Sequence, residues 1–148
     1  MRILIAMMMA LALSVPASAA EELTVRPSKH GVKETVDRLT AALKEKGIIP
    51  VTRVDHAAAA RAAGLDLKAT EVLMFGNPRL GTPLMQVNRH IAIDLPMKVL
   101  VWEDDAGKTW IGYTAPETLK ARYKIDGQDA ALKPMAGALD AFTTAAGN

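Results

Sequence analysis

The strongest constraint in this sequence is a stretch where two apolar, strand-like runs are separated by two Gly-x-Pro punctuations. It reads EVLMFGNPRLGTPLMQVNRHIAIDLPMKVLVWEDD, residues 71–105. Residues 72–75 are apolar at every position, as expected of a strand covered on both faces. Gly76-Asn77-Pro78 and Gly81-Thr82-Pro83 then interrupt the pattern. In each, a side chain able to cap a helix directly precedes a proline suited to the first helical position. Two full helices cannot start so close together. The spacing therefore predicts that Asn77 caps a single turn and that Thr82 caps the helix proper, over residues 83–89. Residues 91–95 fit a last helical turn or a short strand equally well.

Residues 97–103 and 108–114 read as two strands joined at Asp104-Asp105-Ala106-Gly107, a hairpin signal. Loop length decides where the two tryptophans go. A three-residue loop pairs Trp102 with Trp110 on one face, whereas a four-residue loop sends them to opposite faces. The shorter loop is preferred, because Gly107 suits the left-handed position of a bulged turn.

The flanking chain supplies the other elements. Residues 23–27 alternate as a first strand. Val32, Val36, Leu39 and Leu43 form one helical stripe, Lys33 and Asp37 stand four apart on its outer face, and Gly47 supplies a stop. Residues 48–54 read as a second strand. Asp55 caps a short alanine-rich helix over residues 57–63, where so much alanine suggests close packing on a sheet. Thr114-Ala115-Pro116-Glu117 has the spacing of a capping box and opens a helix to about Tyr123. Leu132, Met135, Leu139 and Phe142 form a final amphipathic helix. Proline is tolerated only in a first turn, so Pro134 places the start of that helix near Lys133. Residues 143–148 are expected to fray. The order β-α-β-α-β-α-β-β-α-α, with its closing hairpin, predicts a single α+β domain: one mixed, partly antiparallel sheet packed with helices.

Arg2, the apolar run over residues 3–13, Pro16 and the small residues Ala17-Ser18-Ala19-Ala20 have the layout of a secretory signal peptide. Residues 1–20 are thus expected to be removed after Ala19 or Ala20, leaving residues 21–148 as one domain in the periplasm or outside the cell. The run is too short to span a bilayer, which needs roughly 20 apolar residues. The chain of 148 residues contains no cysteine, which excludes disulfides, thiolate metal sites and a cysteine nucleophile. Eighteen basic residues oppose 16 acidic ones, without blocks of like charge. That balance gives no footprint for nucleic acid or anionic lipid.

Four segments, VTRVDHAAAARAAG (51–64), VLMFGNPRLGTPLMQ (72–86), DLPMKVLVWEDDAGKTWIGY (94–113) and APETLKARYKI (115–125), together resemble the bacterial and archaeal domain of unknown function 302. The likeness covers nearly the whole chain beyond residue 20. It implies a compact α+β fold, often dimeric, without an established activity.

Several residues carry candidate chemistry. Backbone N–H groups around Gly76-Asn77 and Gly81-Thr82 could meet an anion, with Arg79 and Arg89 adding charge. Against this, Pro78 and Pro83 each remove a donor, and no phosphate-loop lysine follows. His56 beside Asp55 has the makings of an oriented acid–base pair, although Asp55 is more simply a helix cap. His90 falls near a helix end, where positive charge is favourable. The three histidines, His30, His56 and His90, are not at metal-ligand spacing. Met74, Met85, Met97 and Met135 read as core filler rather than copper ligands.

Three readings follow. The first is an exported, non-catalytic domain holding a small anionic or amphipathic ligand, or a second copy of itself, near Phe75, Gly76, Asn77, Arg79 and Thr82, with His56 and His90 as further candidates. The second is a small acid–base enzyme using His56 with Asp55. The third is a structural homodimer joined through an apolar sheet face. None calls for a cofactor or metal. The partners expected are a small molecule or a second copy, with no nucleic acid and no membrane once the leader is removed.

Overall fold

A computed structural model describes residues 23–48 and 50–148. The expected targeting segment lies outside these described residues. Five strands form one sheet: β1 (Leu23–Pro27), β2 (Thr52–Asp55), β3 (Thr70–Phe75), β4 (Met97–Glu103) and β5 (Thr109–Thr114). Their spatial order is β1-β5-β4-β3-β2, and every pairing is antiparallel. The α+β class is as expected. The sheet is antiparallel throughout and not only at its closing hairpin, because the helical connections on either side of β3 return the chain to the neighbouring strand in the opposite sense.

The helices are α1 (Val32–Glu45), α2 (His56–Ala62), α3 (Pro78–Val87), α4 (Pro116–Tyr123) and α5 (Asp129–Gly147), with a 3-10 helix at Arg89–Ile93. Strand periodicity sends alternate side chains to opposite faces. Leu73 and Phe75 of β3, Met97, Val99 and Val101 of β4, and Ile111 and Tyr113 of β5 are all buried. They meet the stripe Val32, Val36, Leu39 and Leu43 of α1 and the stripe Leu132, Met135, Leu139 and Phe142 of α5 in one core. On the opposite face the register aligns Val54, Val72, Leu100, Gly112 and Val25 across all five strands. That row is only partly covered, with Val25 and Val54 exposed.

The hairpin has the preferred register. Trp102 pairs with Trp110, Gly107 adopts φ +79°, and the Asp104 amide donates to the Lys108 carbonyl at 2.9 Å. Asp104 organises the turn. Its carboxylate accepts from the amides of Ala106 and Lys108, each at 2.9 Å, and from Trp110 Nε1 at 2.7 Å. The Trp110 bond leads in holding the Asp104 carboxyl below the usual carboxylate range, with the two amides adding to it.

Several local expectations are corrected. Asn77 does not cap a lone turn: it caps α3, which runs unbroken from Pro78 through Pro83, and Thr82 caps nothing. The final helix likewise begins at Asp129 and contains Pro134 in its interior. A helical proline deprives the carbonyl four residues earlier of its donor. Here those carbonyls belong to Arg79 and Ala130, both exposed, where water can replace the lost bond. The capping box does not form, because Thr114 belongs to β5, paired with Leu23, and Ala115 takes the cap position without a side-chain bond. The second strand begins only at Thr52, since the Ile48 amide is still bonded to the Leu43 carbonyl of α1 at 3.0 Å. Of the alanines in α2, only Ala57 is buried. Residues 89–93, read as a last turn or a short strand, form the 3-10 helix, capped by the Asn88 side chain at the His90 amide, 3.0 Å.

The C-terminal residues do not fray. Thr143 and Ala146 are fully buried, the Lys29 amide donates to the Gly147 carbonyl at 2.9 Å, and Arg38 donates to the carbonyls of Ala145 and Ala146 at 3.3 Å. A guanidinium at a helix C-terminus satisfies carbonyls that have no partner within the helix. No helix among the described residues is long and apolar enough to cross a membrane.

Candidate functional site

The corner after β3 opens into a cleft of about 390 Å³. One wall is the segment running from Phe75 through Gly76 and Asn77 into α3, which contributes Leu80, Gly81, Thr82 and Met85. A second is Leu95-Pro96-Met97, where the chain enters β4 through a cis Leu95–Pro96 peptide. The third is α5, through Met135, Ala138, Leu139 and Phe142, and Ile48 and Val51 complete the rim. Every one of these side chains is uncharged, and only Asn77 and Thr82 are polar. Phe75 and Phe142 meet edge to face within the lining, their centroids 6.3 Å apart. Gly76 allows the walls to close: a β-carbon there would stand 3.0 Å from Pro96 Cβ.

The sequence folds this way locally for identifiable reasons. Asn77 is extended, and its Oδ1 accepts from the Arg79 amide at 2.9 Å, which starts α3 at a defined point. Leu84 faces inward and is fully buried, so Gly81 and Met85 on the adjacent part of the helix face the cleft. The far wall is tied down beside Asp94. Its carboxylate accepts from the Tyr123 hydroxyl at 2.6 Å and from Arg122 at 2.7 Å, and Asn88 Nδ2 donates to the Tyr123 carbonyl at 2.9 Å. Burial pushes the Asp94 carboxyl up, but the bonds from Tyr123 and Arg122 outweigh it and leave it below the ordinary range.

Of the residues singled out in the sequence, Phe75, Gly76, Asn77 and Thr82 line this cleft. Arg79 lies on the exposed side of α3, and His90 is exposed on the 3-10 helix; neither lines it. His56 is exposed at the start of α2, away from the cleft lining. Asp55 does not orient it, since its Oδ1 accepts from the Ala58 amide at 2.7 Å. His30 instead meets Glu34, Nδ1 to Oε1, at 3.0 Å. Among the described residues no group of three or more His, Asp or Glu side chains could hold a metal ion.

Sequence reasoning missed the contribution of α5 and the convergence of three methionines. Met85, Met97 and Met135 line one cavity from three different elements. Each alone reads as core filler, and no local signal in the chain links them.

A second cluster lies at the other end of the sheet. Arg53 on edge strand β2 donates to Glu71 of β3 and to Asp37 of α1, the latter at 2.5 Å, and Asp37 also accepts from Lys33 at 2.7 Å. The Glu71 side chain is only 8% exposed. Its bond is the main reason the Arg53 guanidinium is held above its ordinary value, and the bonds from Lys33 and then Arg53 lower Asp37. The cluster has all its charges compensated and fastens the edge strand to α1.

Comparison with known proteins bears on the family. A solved structure, the crystal structure of an uncharacterized conserved protein DUF302 from Bacillus stearothermophilus, superposes with a TM-score of 0.75 at 22% identity, covering 86% of this chain and 99% of that one. Curated relatives are named fluoride-specific ion channels. FluC 1 of Brucella suis is 46% identical over 109 residues, covering 73% of this chain and 43% of the relative. FluC 1 of Brucella abortus is 46% identical over the same length, covering 40% of that relative. The chain thus spans less than half the length of these relatives. Residues 24–142 match the family described as Domain of unknown function DUF302, and this chain belongs to that family.

Proposed function

We propose that this domain binds a small, largely apolar or amphipathic molecule in the cleft beside α3, and does so outside the cytoplasm after loss of residues 1–20. The observation that carries the reading is the cleft itself: about 390 Å³, within the usual size range of small-molecule sites, with an apolar lining in which only Asn77 and Thr82 are polar. The lining favours an amphipathic over an anionic ligand, since it offers no countercharge. Native mass spectrometry of protein purified from its own host tests this. A co-purifying small molecule is expected. A ligand-free protein that no compound stabilises in a thermal-shift metabolite screen would overturn the reading.

The acid–base alternative has no support from Asp55, whose carboxylate is engaged as a helix cap. Self-association has support in the partly exposed apolar row Val54, Val72, Leu100, Gly112 and Val25, and sedimentation of the isolated chain would reveal it.

A second reading rests on the curated relatives. They carry a stretch similar to this chain within longer proteins named fluoride-specific ion channels. Regions joined in one chain in some organisms commonly act together where they occur apart, so the domain is also proposed to assist fluoride tolerance. Deleting its gene from the host should lower the fluoride concentration that arrests growth. Unchanged tolerance would remove this reading and leave the first intact.

A further inference from the structure

We propose that the ligand of the α3 cleft is an uncharged aromatic molecule of one or two fused rings that carries a hydrogen-bond acceptor, which faces Asn77. This rests on the binding reading above and narrows it to a chemical class. Four features of the lining support it.

The lining contains no acidic or basic side chain. A carboxylate or phosphate carried into such a cleft would lose its hydration without gaining a countercharge, so a charged ligand is disfavoured. Second, Met85, Met97 and Met135 line the cleft from three walls. Thioether sulfur is polarisable and makes favourable contacts with aromatic rings, often at the ring edge. Third, Phe75 and Phe142, perpendicular at 87°, both line the cleft, and aromatic rings favour edge-to-face or offset contact with a further aromatic group. A flexible acyl chain could fill the same space, but it would give up rotational freedom at every bond, whereas a fused ring system loses little.

The fourth feature sets the polar end. Asn77 Oδ1 is taken by the Arg79 amide, which fixes the orientation of the side-chain amide. Asn77 is a lining residue on the exposed side of the cleft, and no hydrogen bond from its two side-chain N–H donors is formed among the described residues. These donors suit a carbonyl, ether or hydroxyl oxygen, with the Thr82 hydroxyl close by in the chain.

The test uses the full chain and the uncharged naphthyl ketone dye prodan, with menadione as a non-fluorescent competitor. Decanoate and cis-parinaric acid represent anionic acyl chains. Saturable, blue-shifted prodan emission is expected, displaced by menadione and not by decanoate. Asn77→Asp retains the oxygen that caps α3 but removes both amide donors. It should leave the thermal unfolding curve in place while weakening prodan binding about tenfold, the effect of losing one good hydrogen bond. If cis-parinaric acid binds while prodan and menadione do not, the ligand class is wrong and the binding reading stands. If no probe binds, both fail. If prodan binds equally well to Asn77→Asp, the assignment of the acceptor to Asn77 is overturned.

Discussion

The rings of Phe75 and Phe142 meet edge to face, with centroids 6.3 Å apart and planes at 87°. One ends strand β3 and the other lies near the end of α5, so this contact joins the sheet to the last helix where the cleft opens. Both side chains are buried. Phe142→Leu keeps most of the apolar volume but removes the ring contact. It should lower stability by about 1–2 kcal/mol in urea unfolding, the size of an aromatic pair plus imperfect filling. An unchanged midpoint would show that the pair contributes nothing.

Gly112 is buried under Trp102, whose Cζ3 would lie 3.0 Å from a β-carbon placed at Gly112. The indole is a rigid plane packed on the sheet and cannot yield as the tip of a lysine would. Gly112→Ala should therefore displace Trp102 and cost about 1–3 kcal/mol. Tryptophan emission should shift to the red as the ring becomes more exposed. A native spectrum and an unaltered unfolding midpoint would contradict this account of the glycine.

Arg53 compensates Glu71, which is otherwise buried in the layer between sheet and helices. Arg53→Met should destabilise by about 2–4 kcal/mol, because removing one member leaves an unpaired buried charge. Arg53 is itself partly exposed, which keeps the figure below that of a fully enclosed pair. Adding Glu71→Met to Arg53→Met should recover part of the loss, since the unpaired carboxylate is then gone as well. Equal destabilisation in the single and double variants, measured by chemical denaturation, would count against the pairing.

Asp94 has its carboxyl lowered in the folded state, because the bonds from Tyr123 and Arg122 exceed the opposing effect of burial. A group lowered on folding contributes stability that is fully present above its unfolded pKa of about 3.9 and is lost as pH falls through the folded value. Tyr123→Phe removes one of the two donors. The wild-type advantage over this variant should be constant from neutral pH down to about pH 5 and then shrink as the solution is acidified. Urea unfolding across that range measures it. A gap that widens in acid would show that the Tyr123 bond does not lower Asp94.

The hairpin was legible in the sequence because its signals are local. Asp104 and Gly107 mark the loop and favour the three-residue form that places Trp102 opposite Trp110, while the four-residue alternative was excluded only by the strand pairing. The α1 stripe, the Asp55 cap and the inward positions Leu132, Met135, Leu139 and Phe142 were legible for the same reason: helix periodicity and capping depend on neighbours a few residues apart. The two interior prolines were not. Whether a helix runs through Pro83 or Pro134 depends on whether the orphaned carbonyl reaches water and whether packing on either side holds the turn, and the residue itself carries neither fact.

The candidate site divides in the same way. The corner from Phe75 to Thr82, with its capped turn, is written in consecutive residues, and it does form one wall of the cleft. The other walls come from Pro96, Met97, Met135 and Phe142, brought together by strand pairing and by the seating of α5. By itself the sequence determined the order of the main strands and helices, the α+β class and the family likeness, and it favoured the hairpin register that forms, all consequences of local chemistry and periodicity. Only the tertiary structure decided that the C-terminal turn is buried and that three scattered methionines share one cavity. Those outcomes depend on which distant segments bury each other's apolar surface, and no short stretch of chain encodes that choice.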